Sequence, residues 1–304
     1  MPKLSDLLGL EDIKRRIAIR IAARKMDGAT LPHILIAGQP GCGKSTLGRA
    51  VAEEAGYLLV QREAAVFENR EQFSRHLIEC CRLGQKMGRK VAIFLDEIHR
   101  LKKLIQESLY YPMLEGRVDT TDGFVDLGFD FCIIGATTDK HELRAPLLSR
   151  FPEKWDIGRY THAQIVRVAL RRLLQDDYLE ADVDAVFAIA ERSLGVPRRC
   201  INLCQQLIDY VNVQEKDRIT LADAEEMFRM EGLDQIGLNP MQRKYLKVLA
   251  AGACKIGVLS AKVEQSDDLL KIEVEPVLLS LGFINVGGGG MRTMTKAGME
   301  YAGV

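Results

Sequence analysis

The 304 residues carry 42 Lys and Arg against 42 Asp and Glu, so the formal net charge is zero, and 47% of the chain is hydrophobic. That balance excludes a disordered chain and a polyanion binder acting through bulk charge, while leaving room for a local basic site. A chain this long can bury a large core without staples and is expected to divide into two or three domains.

The start, MPKLSDLLGL, has no basic segment leading into an apolar one, which argues against a signal peptide. No apolar run approaches the ~18 residues that span a membrane. The seven cysteines (Cys42, Cys80, Cys81, Cys132, Cys200, Cys204 and Cys254) are odd in number, and no C-x-x-C pair occurs. These features predict a reduced, cytoplasmic setting. Cys200 and Cys204 stand one helical turn apart like half a metal site. With no second ligand pair nearby, core burial is the expected reading.

In chain order, residues 33–37, 57–60, 91–95 and 131–134 are short apolar runs that suit parallel strands covered on both faces. Residues 46–55, 71–86 and 102–114 read as the helices crossing between them, and 155–157 closes the strand pattern. This alternation predicts an α/β fold with a parallel sheet. From Thr161 the pattern is helical. Thr161-His162-Ala163-Gln164 is a capping box, and 182–193, 198–213 and 220–230 follow as helices of a small all-α domain. Asn239-Pro240 then caps and opens a new helix. Helices near 240–251, 257–263 and 266–281, with a hairpin of 283–286 and 291–294 joined by four glycines, outline a winged helix. The expected division is 1–159, 160–236 and 237–304.

Gly38-Gln39-Pro40-Gly41-Cys42-Gly43-Lys44-Ser45 matches G-x-x-x-x-G-K-[ST], with a strand before it and a helix, opened by Thr46, after it. The glycines let backbone N–H groups close around phosphate oxygens, and the helix N-terminus adds a favourable field. Lys44 is expected to reach the β- and γ-phosphates and Ser45 to ligate Mg²⁺. The third strand ends in Leu95-Asp96-Glu97, and adjacent carboxylates there are costly unless a cation sits beside them. Asp96 is expected to hold Mg²⁺, and Glu97 to orient and polarise the attacking water. Thr138, after the fourth strand, would lie between the γ-phosphate and these acids, at the carboxyl edge where open α/β sheets bind ligands. Arg150 and Arg198 each follow a small or turn residue and could stabilise phosphoryl charge bidentately. From spacing alone, a surface ion pair is the more ordinary reading of either.

Asp96-Glu97-Ile98-His99-Arg100-Leu101, Ile134-Gly135-Ala136-Thr137-Thr138 and Gly195-Val196-Pro197-Arg198 together resemble the AAA+ ATPases, and within them the RuvB family of bacterial branch-migration motors. Tyr110-Tyr111-Pro112-Met113-Leu114-Glu115, Glu275-Pro276-Val277-Leu278-Leu279 and Leu281-Gly282-Phe283 are also similar to RuvB segments. The resemblance runs from Leu8 to the C-terminus. It implies Walker A at Lys44 and Ser45, Walker B at Asp96 and Glu97, sensor 1 at Thr138 and sensor 2 at Arg198. It also implies an arginine finger at Arg150, and hence a homo-oligomeric ring or spiral, expected to be a hexamer. Leu8, Gly9 and Leu10 would border the adenine, and Arg292, in the wing, would face the DNA backbone. Three features depart from the family, the first being a short arm before Leu8. The stretch 116–126 is shorter and more polar than the family's hairpin before sensor 1, which argues against a hydrophobic contact with a RuvA-type adaptor. Asp139 stands where the family has Arg.

Residues 237–304 hold eight Lys and Arg against six Asp and Glu, a slight basic excess. That suits backbone contacts with branched or duplex DNA, multiplied by a ring, over base reading. A winged helix used only for protein contacts is the rival. The leading expectation is therefore an ATP- and Mg²⁺-dependent DNA motor of the RuvB kind. The alternative is a loader or remodelling switch assembling a protein partner on DNA. A nucleotide-gated adaptor with little turnover is a third reading, opposed by the presence of Glu97 and Arg150.

Overall fold

The computed structural model describes residues 2–128, 130–175 and 180–303. It forms two compact units, Met1–Gln164 with Val196–Arg198, and Ile165–Gly195 with Arg199–Val304.

The first unit runs α1 (Glu11–Asp27), β1 (Ile34–Gly38), α2 (Lys44–Ala55), β2 (Leu58–Glu63), α3 (Arg70–Met87), β3 (Val91–Asp96), α4 (Lys103–Ser108) and α5 (Tyr110–Glu115). The hairpin β4 (Arg117–Thr120) and β5 (Gly123–Asp126) follows, then β6 (Phe131–Thr137), α6 (Ala145–Ser149) and β7 (Glu153–Ile157). The sheet order is β2-β3-β6-β1-β7, with every pairing parallel. Side chains alternate across it. Leu35, Ile93, Leu95 and Ile133 enter one apolar cluster, and Ile34, Ile36, Phe94 and Ile134 enter the other. Both faces are therefore covered, which is why the strands read as unbroken apolar runs. The register sets Glu63 opposite Asp96 and Leu95 opposite Gly135, so the carboxyl ends of these strands share one edge.

The expected helix over 102–114 is divided into α4 and α5 around Leu109. Pro112 has no N–H for the Ser108 carbonyl, and its ring crowds that carbonyl. Helix α1 has no counterpart in the sequence reading, because its apolar face is narrow: only Ile17 and Ile21 are buried. The β4–β5 hairpin closes on Thr121 and Asp122, with Thr120 paired to Gly123. Although polar in sequence, it presents Phe124, which is 57% exposed and stacks edge-on against Tyr111 at 5.8 Å.

The second unit takes most of α7 (His162–Leu173), then β8 (Glu180–Ala181), α8 (Val183–Arg192), α9 (Pro197–Val213) beyond its first two residues, β9 (Arg218–Ile219) and α10 (Leu221–Met230). The expected capping box opens α7, with the Thr161 N–H on Gln164 Oε1 at 2.9 Å and the Gln164 N–H on Thr161 Oγ1 at 3.3 Å. Cys200 and Cys204 are fully buried on α9, as core residues would be. The winged helix follows: α11 (Pro240–Ala250), β10 (Cys254–Lys255), α12 (Ile256–Val263), α13 (Asp267–Leu269), α14 (Glu275–Ser280), β11 (Ile284–Val286), β12 (Met291–Met294) and α15 (Lys296–Ala302). Asn239 caps α11, accepting the Gln242 N–H at 2.9 Å. The expected helix over 266–281 contains a π-helical turn, Leu270–Val274, immediately before Pro276. Proline's missing N–H and its clash with the Ile272 carbonyl favour such a widened turn.

Candidate active site

The glycine loop leaves β1 and turns into α2 through Gly41 (φ 80°) and Gly43 (φ 93°), a backbone region that side-chain-bearing residues rarely adopt. The first α2 residues, Lys44, Ser45 and Thr46, have N–H groups with no intrahelical acceptor by helix geometry, and the first turn of α2 itself contains no acidic residue. Pro40, Gly41, Gly43, Lys44, Ser45 and Thr46 line a cavity of about 210 Å³ together with Glu63, Ala65, Asp96, Glu97, Arg100 and Arg198. A concave site lined by a helix N-terminus, cations and carboxylates together suits a polyphosphate with a cation.

The side chains are already engaged with one another. Lys44 is 6% exposed and donates to the carbonyls of Gly38 at 3.0 Å and Gln39 at 3.3 Å, with Glu97 Oε1 3.8 Å away. Burial pushes its ammonium below the ordinary lysine range, opposed by the charges of Glu97 and Asp96. Ser45 Oγ donates to Asp96 Oδ2 at 2.8 Å, and Asp96 Oδ1 accepts the Glu97 N–H at 3.1 Å. A hydroxyl and a carboxylate in contact make a hard-oxygen pair of the kind Mg²⁺ takes when phosphates complete its shell. Among the described residues no cluster of three or more His, Cys, Asp or Glu could hold a metal by itself.

Glu97 sits at φ 47°, ψ 51°, a left-handed conformation that costs a non-glycine residue about 1–3 kcal/mol. Thr138 lies against it: its N–H and its hydroxyl both donate to Glu97 Oε2, at 3.1 and 2.8 Å. Arg198 reaches the cavity from the start of α9, where its N–H donates to the Gly41 carbonyl at 3.2 Å. Gly9 is buried against Tyr160 and Gln164, and Leu10 packs on the same apolar cluster as Tyr160, but Leu8, Gly9 and Leu10 do not line the 210 Å³ cavity. Cys42 points into the core beneath the loop, where burial raises its thiol. Arg150 is also outside this cavity. It lines a second, open cavity of about 570 Å³ with His33, Leu114 and Phe131, and its buried Nε has no hydrogen-bond partner among the described residues.

Arg292 departs from expectation. It is 7% exposed, and its guanidinium donates to both oxygens of the buried Glu275, Nε at 2.8 Å and Nη2 at 3.2 Å, while Nη1 binds the Gly290 carbonyl at 2.7 Å. The charge is spent inside the domain because Glu275, on the neighbouring helix, would otherwise be buried unpaired.

A family model described as the Holliday junction DNA helicase RuvB P-loop domain matches residues 2–156, and a RuvB C-terminal winged helix domain matches residues 235–303. The chain belongs to the RuvB family. A RuvB subunit of the Holliday junction branch migration complex from Fervidobacterium nodosum is 33% identical over 99% of the chain and 87% of the relative, and one from Kosmotoga olearia is 30% identical over 99% and 89%. The solved RuvB branch migration motor of Thermotoga maritima is 29% identical, covers 98% of this chain and 96% of its own, and superposes with a TM-score of 0.85. An ORC2 protein of Aeropyrum pernix, at 14% identity and a TM-score of 0.61, shares the fold alone. The chain is thus an AAA+ ATPase of the branch-migration motor class, and the resemblance read from its motifs holds. No helix among the described residues is long and apolar enough to cross a membrane.

Sequence reasoning assigned no role to Glu63, Arg100, Arg159 or His99. Glu63 and Arg100 line the cavity, and Arg159 donates to Gln39 Oε1 at 3.1 Å. Glu63 could have been found from strand order, since it is the last residue of the strand beside Asp96. His99 and Arg100 lie in the Asp96–Leu101 motif, which gives neither a role, and Arg159 carries no motif signal.

Proposed function

We propose that this chain is an ATP-dependent oligomeric motor that drives branch migration on Holliday-junction or related duplex DNA. The observation that carries the reading is the junction of Lys44, Ser45, Asp96 and Glu97 around one cavity with Thr138 bonded to Glu97, while Arg150 stands outside it. In this reading the loop N–H groups and Lys44 bind the phosphates of ATP, and Gly38, Gly41, Cys42, Gly43 and Thr46 serve through the backbone path. Leu8, Gly9 and Leu10 border the base beside Tyr160. Ser45 and Asp96 hold Mg²⁺, which when bound offsets phosphate charge. Glu97 orients and deprotonates the attacking water, and Thr138 keeps it aimed. Arg198 stabilises the phosphates in the same subunit. Arg150, with an unpaired buried nitrogen, reaches a neighbouring subunit's nucleotide, which requires a ring or spiral, most simply a hexamer.

The division at 1–159, 160–236 and 237–304 is the working domain scheme. Within the winged helix, exposed Lys255, Lys262 and Lys271 replace Arg292 as the candidate phosphate contacts. Exposed Phe124 and Tyr111 give the short hairpin an apolar face for a RuvA-type adaptor, which its sequence alone argued against. The deciding experiment is ATP-driven unwinding of a four-way DNA junction, with and without a RuvA-type protein. ATP-dependent movement on the junction supports the motor. ATP turnover indifferent to DNA and stimulated only by a protein partner would overturn it.

A further inference from the structure

The two oxygens of Glu97 have different surroundings. Oε2 accepts the Thr138 N–H and hydroxyl and lies 3.2 Å from His99 Nδ1. Oε1 lies 3.8 Å from Nζ of Lys44, and both residues line the cavity. His99, whose side chain is 10% exposed, also places Nδ1 3.0 Å from Thr137 Oγ1.

The proton on this nitrogen follows from the network. Thr137 Oγ1 donates its only hydrogen to the Asp139 carbonyl at 2.8 Å and accepts the Asp139 N–H at 3.0 Å. It therefore has only a lone pair left for His99. Were Nδ1 also bare, it would set lone pairs against both Thr137 Oγ1 and the Glu97 carboxylate. A proton on Nδ1 satisfies both oxygens at once. His99 Nε2 is directed elsewhere, 3.9 Å from Glu142 Oε2.

We infer that His99 is a positioning residue for ATP hydrolysis: its Nδ1–H, held in place by Thr137, joins Thr138 in anchoring Glu97 Oε2 and so leaves Oε1 as the oxygen that meets the attacking water. This rests on the reading of Glu97 as the water-activating base. The left-handed backbone at Glu97 fits the assignment, since a strained residue persists only where its surroundings over-determine it. His99 stands two residues after Glu97, in a short 3₁₀ turn that β3 leads into, whereas Thr137 ends β6. The pairing of β3 with β6 is what brings them together.

The test is steady-state ATP turnover by the full chain carrying His99→Ala, His99→Asn or His99→Gln, each checked for an unchanged melting temperature, with Glu97→Gln measured alongside. The inference expects His99→Ala to lower kcat about tenfold or more with KM for ATP within about twofold, because a hydrogen bond to a charged group is lost after binding. His99→Asn presents an N–H where Nδ1 stood and recovers most of kcat. His99→Gln presents one where Nε2 stood and does not. Unchanged kcat in His99→Ala, equal behaviour of the Asn and Gln chains, or a loss confined to KM would overturn the inference. If His99→Ala does not fold, the contrast between Asn and Gln decides alone. Full turnover by Glu97→Gln would sink the base assignment itself, whereas an inactive Glu97→Gln beside an unaffected His99→Ala sinks only the role of His99.

Discussion

Thr138 donates twice to a single oxygen of Glu97, through its hydroxyl at 2.8 Å and its N–H at 3.1 Å. One oxygen of the carboxylate is thus tethered just past the end of β6, while the other lies 3.8 Å from Lys44 Nζ. Glu97→Gln keeps the shape and one acceptor oxygen but removes the base. Turnover should fall by about 10²–10⁴-fold while ATP still binds, leaving an ATP-stabilised oligomer visible by light scattering. Normal turnover would show that Glu97 does not activate the water.

Lys44 is buried among carbonyls that hold it at the mouth of α2. Lys44→Ala should weaken ATP binding by about ten- to a hundredfold, read by titration of a fluorescent nucleotide. Unchanged affinity would remove the phosphate-loop assignment.

Arg150 lies apart from the cavity that holds Lys44 and Glu97. Arg150→Ala should cut turnover by about a thousandfold, as loss of an arginine finger does. Mixing Arg150→Ala and Lys44→Ala chains should restore part of the activity, because mixed oligomers place an intact finger against an intact loop. Absence of any recovery, with oligomers confirmed by sedimentation, would place the arginine's role within its own subunit.

The Arg292–Glu275 pair is a stability element. Tyr245 also donates to Glu275 Oε1, at 2.8 Å, so the buried carboxylate depends on both partners. Arg292→Ala should destabilise the winged helix by about 3–5 kcal/mol, read by chemical unfolding, because a charge is left buried without its partner. Adding Glu275→Gln to that chain should cost less than the two changes summed. DNA affinity lost without loss of stability would instead make Arg292 a surface contact.

His33 joins the sheet to α5. Its Nδ1 accepts the Ile133 N–H at 2.9 Å, and Nε2 lies 3.3 Å from the Met113 carbonyl. Burial lowers its pKa from 6.5 to about 4, with the Met113 contact opposing. The folded chain thus holds His33 neutral where the unfolded chain binds a proton. Its stabilising effect is complete above pH 6.5 and is lost as pH falls toward 4. Between these values the wild-type chain should lose about 2 kcal/mol more stability than His33→Gln, compared by urea midpoints at several pH values. Parallel pH curves for the two chains would contradict this.

Much of the site was legible because its motifs are contiguous. The eight residues from Gly38 to Ser45 carry their own turn and helix start, and Asp96-Glu97 ends a short apolar run that suits a buried strand. Local backbone preferences and hydrophobic period act over a few residues, so a linear reading recovers them, down to the caps at Thr161 and Asn239. The breaks at Pro112 and Pro276 are also written in the sequence, since proline's missing N–H is a local property, although the helical period continues across both.

Other features depend on which strands pair and which helix covers which face. Glu63 reaches the cavity through its register with Asp96, and Thr137 reaches His99 because β3 and β6 are neighbours. Neither relation is present until the sheet forms. Arg292 is a wing cation by position, but Glu275, 17 residues away, is buried against it. The opening balance of 42 cations and 42 anions describes the chain's total and is silent on pairing. Composition and motif determined the kind of machine. Tertiary structure decided which charges face solvent, which neutralise one another, and which oxygen of Glu97 is held by Thr138, because a hydrogen bond or ion pair depends on distance in space and not on separation along the chain.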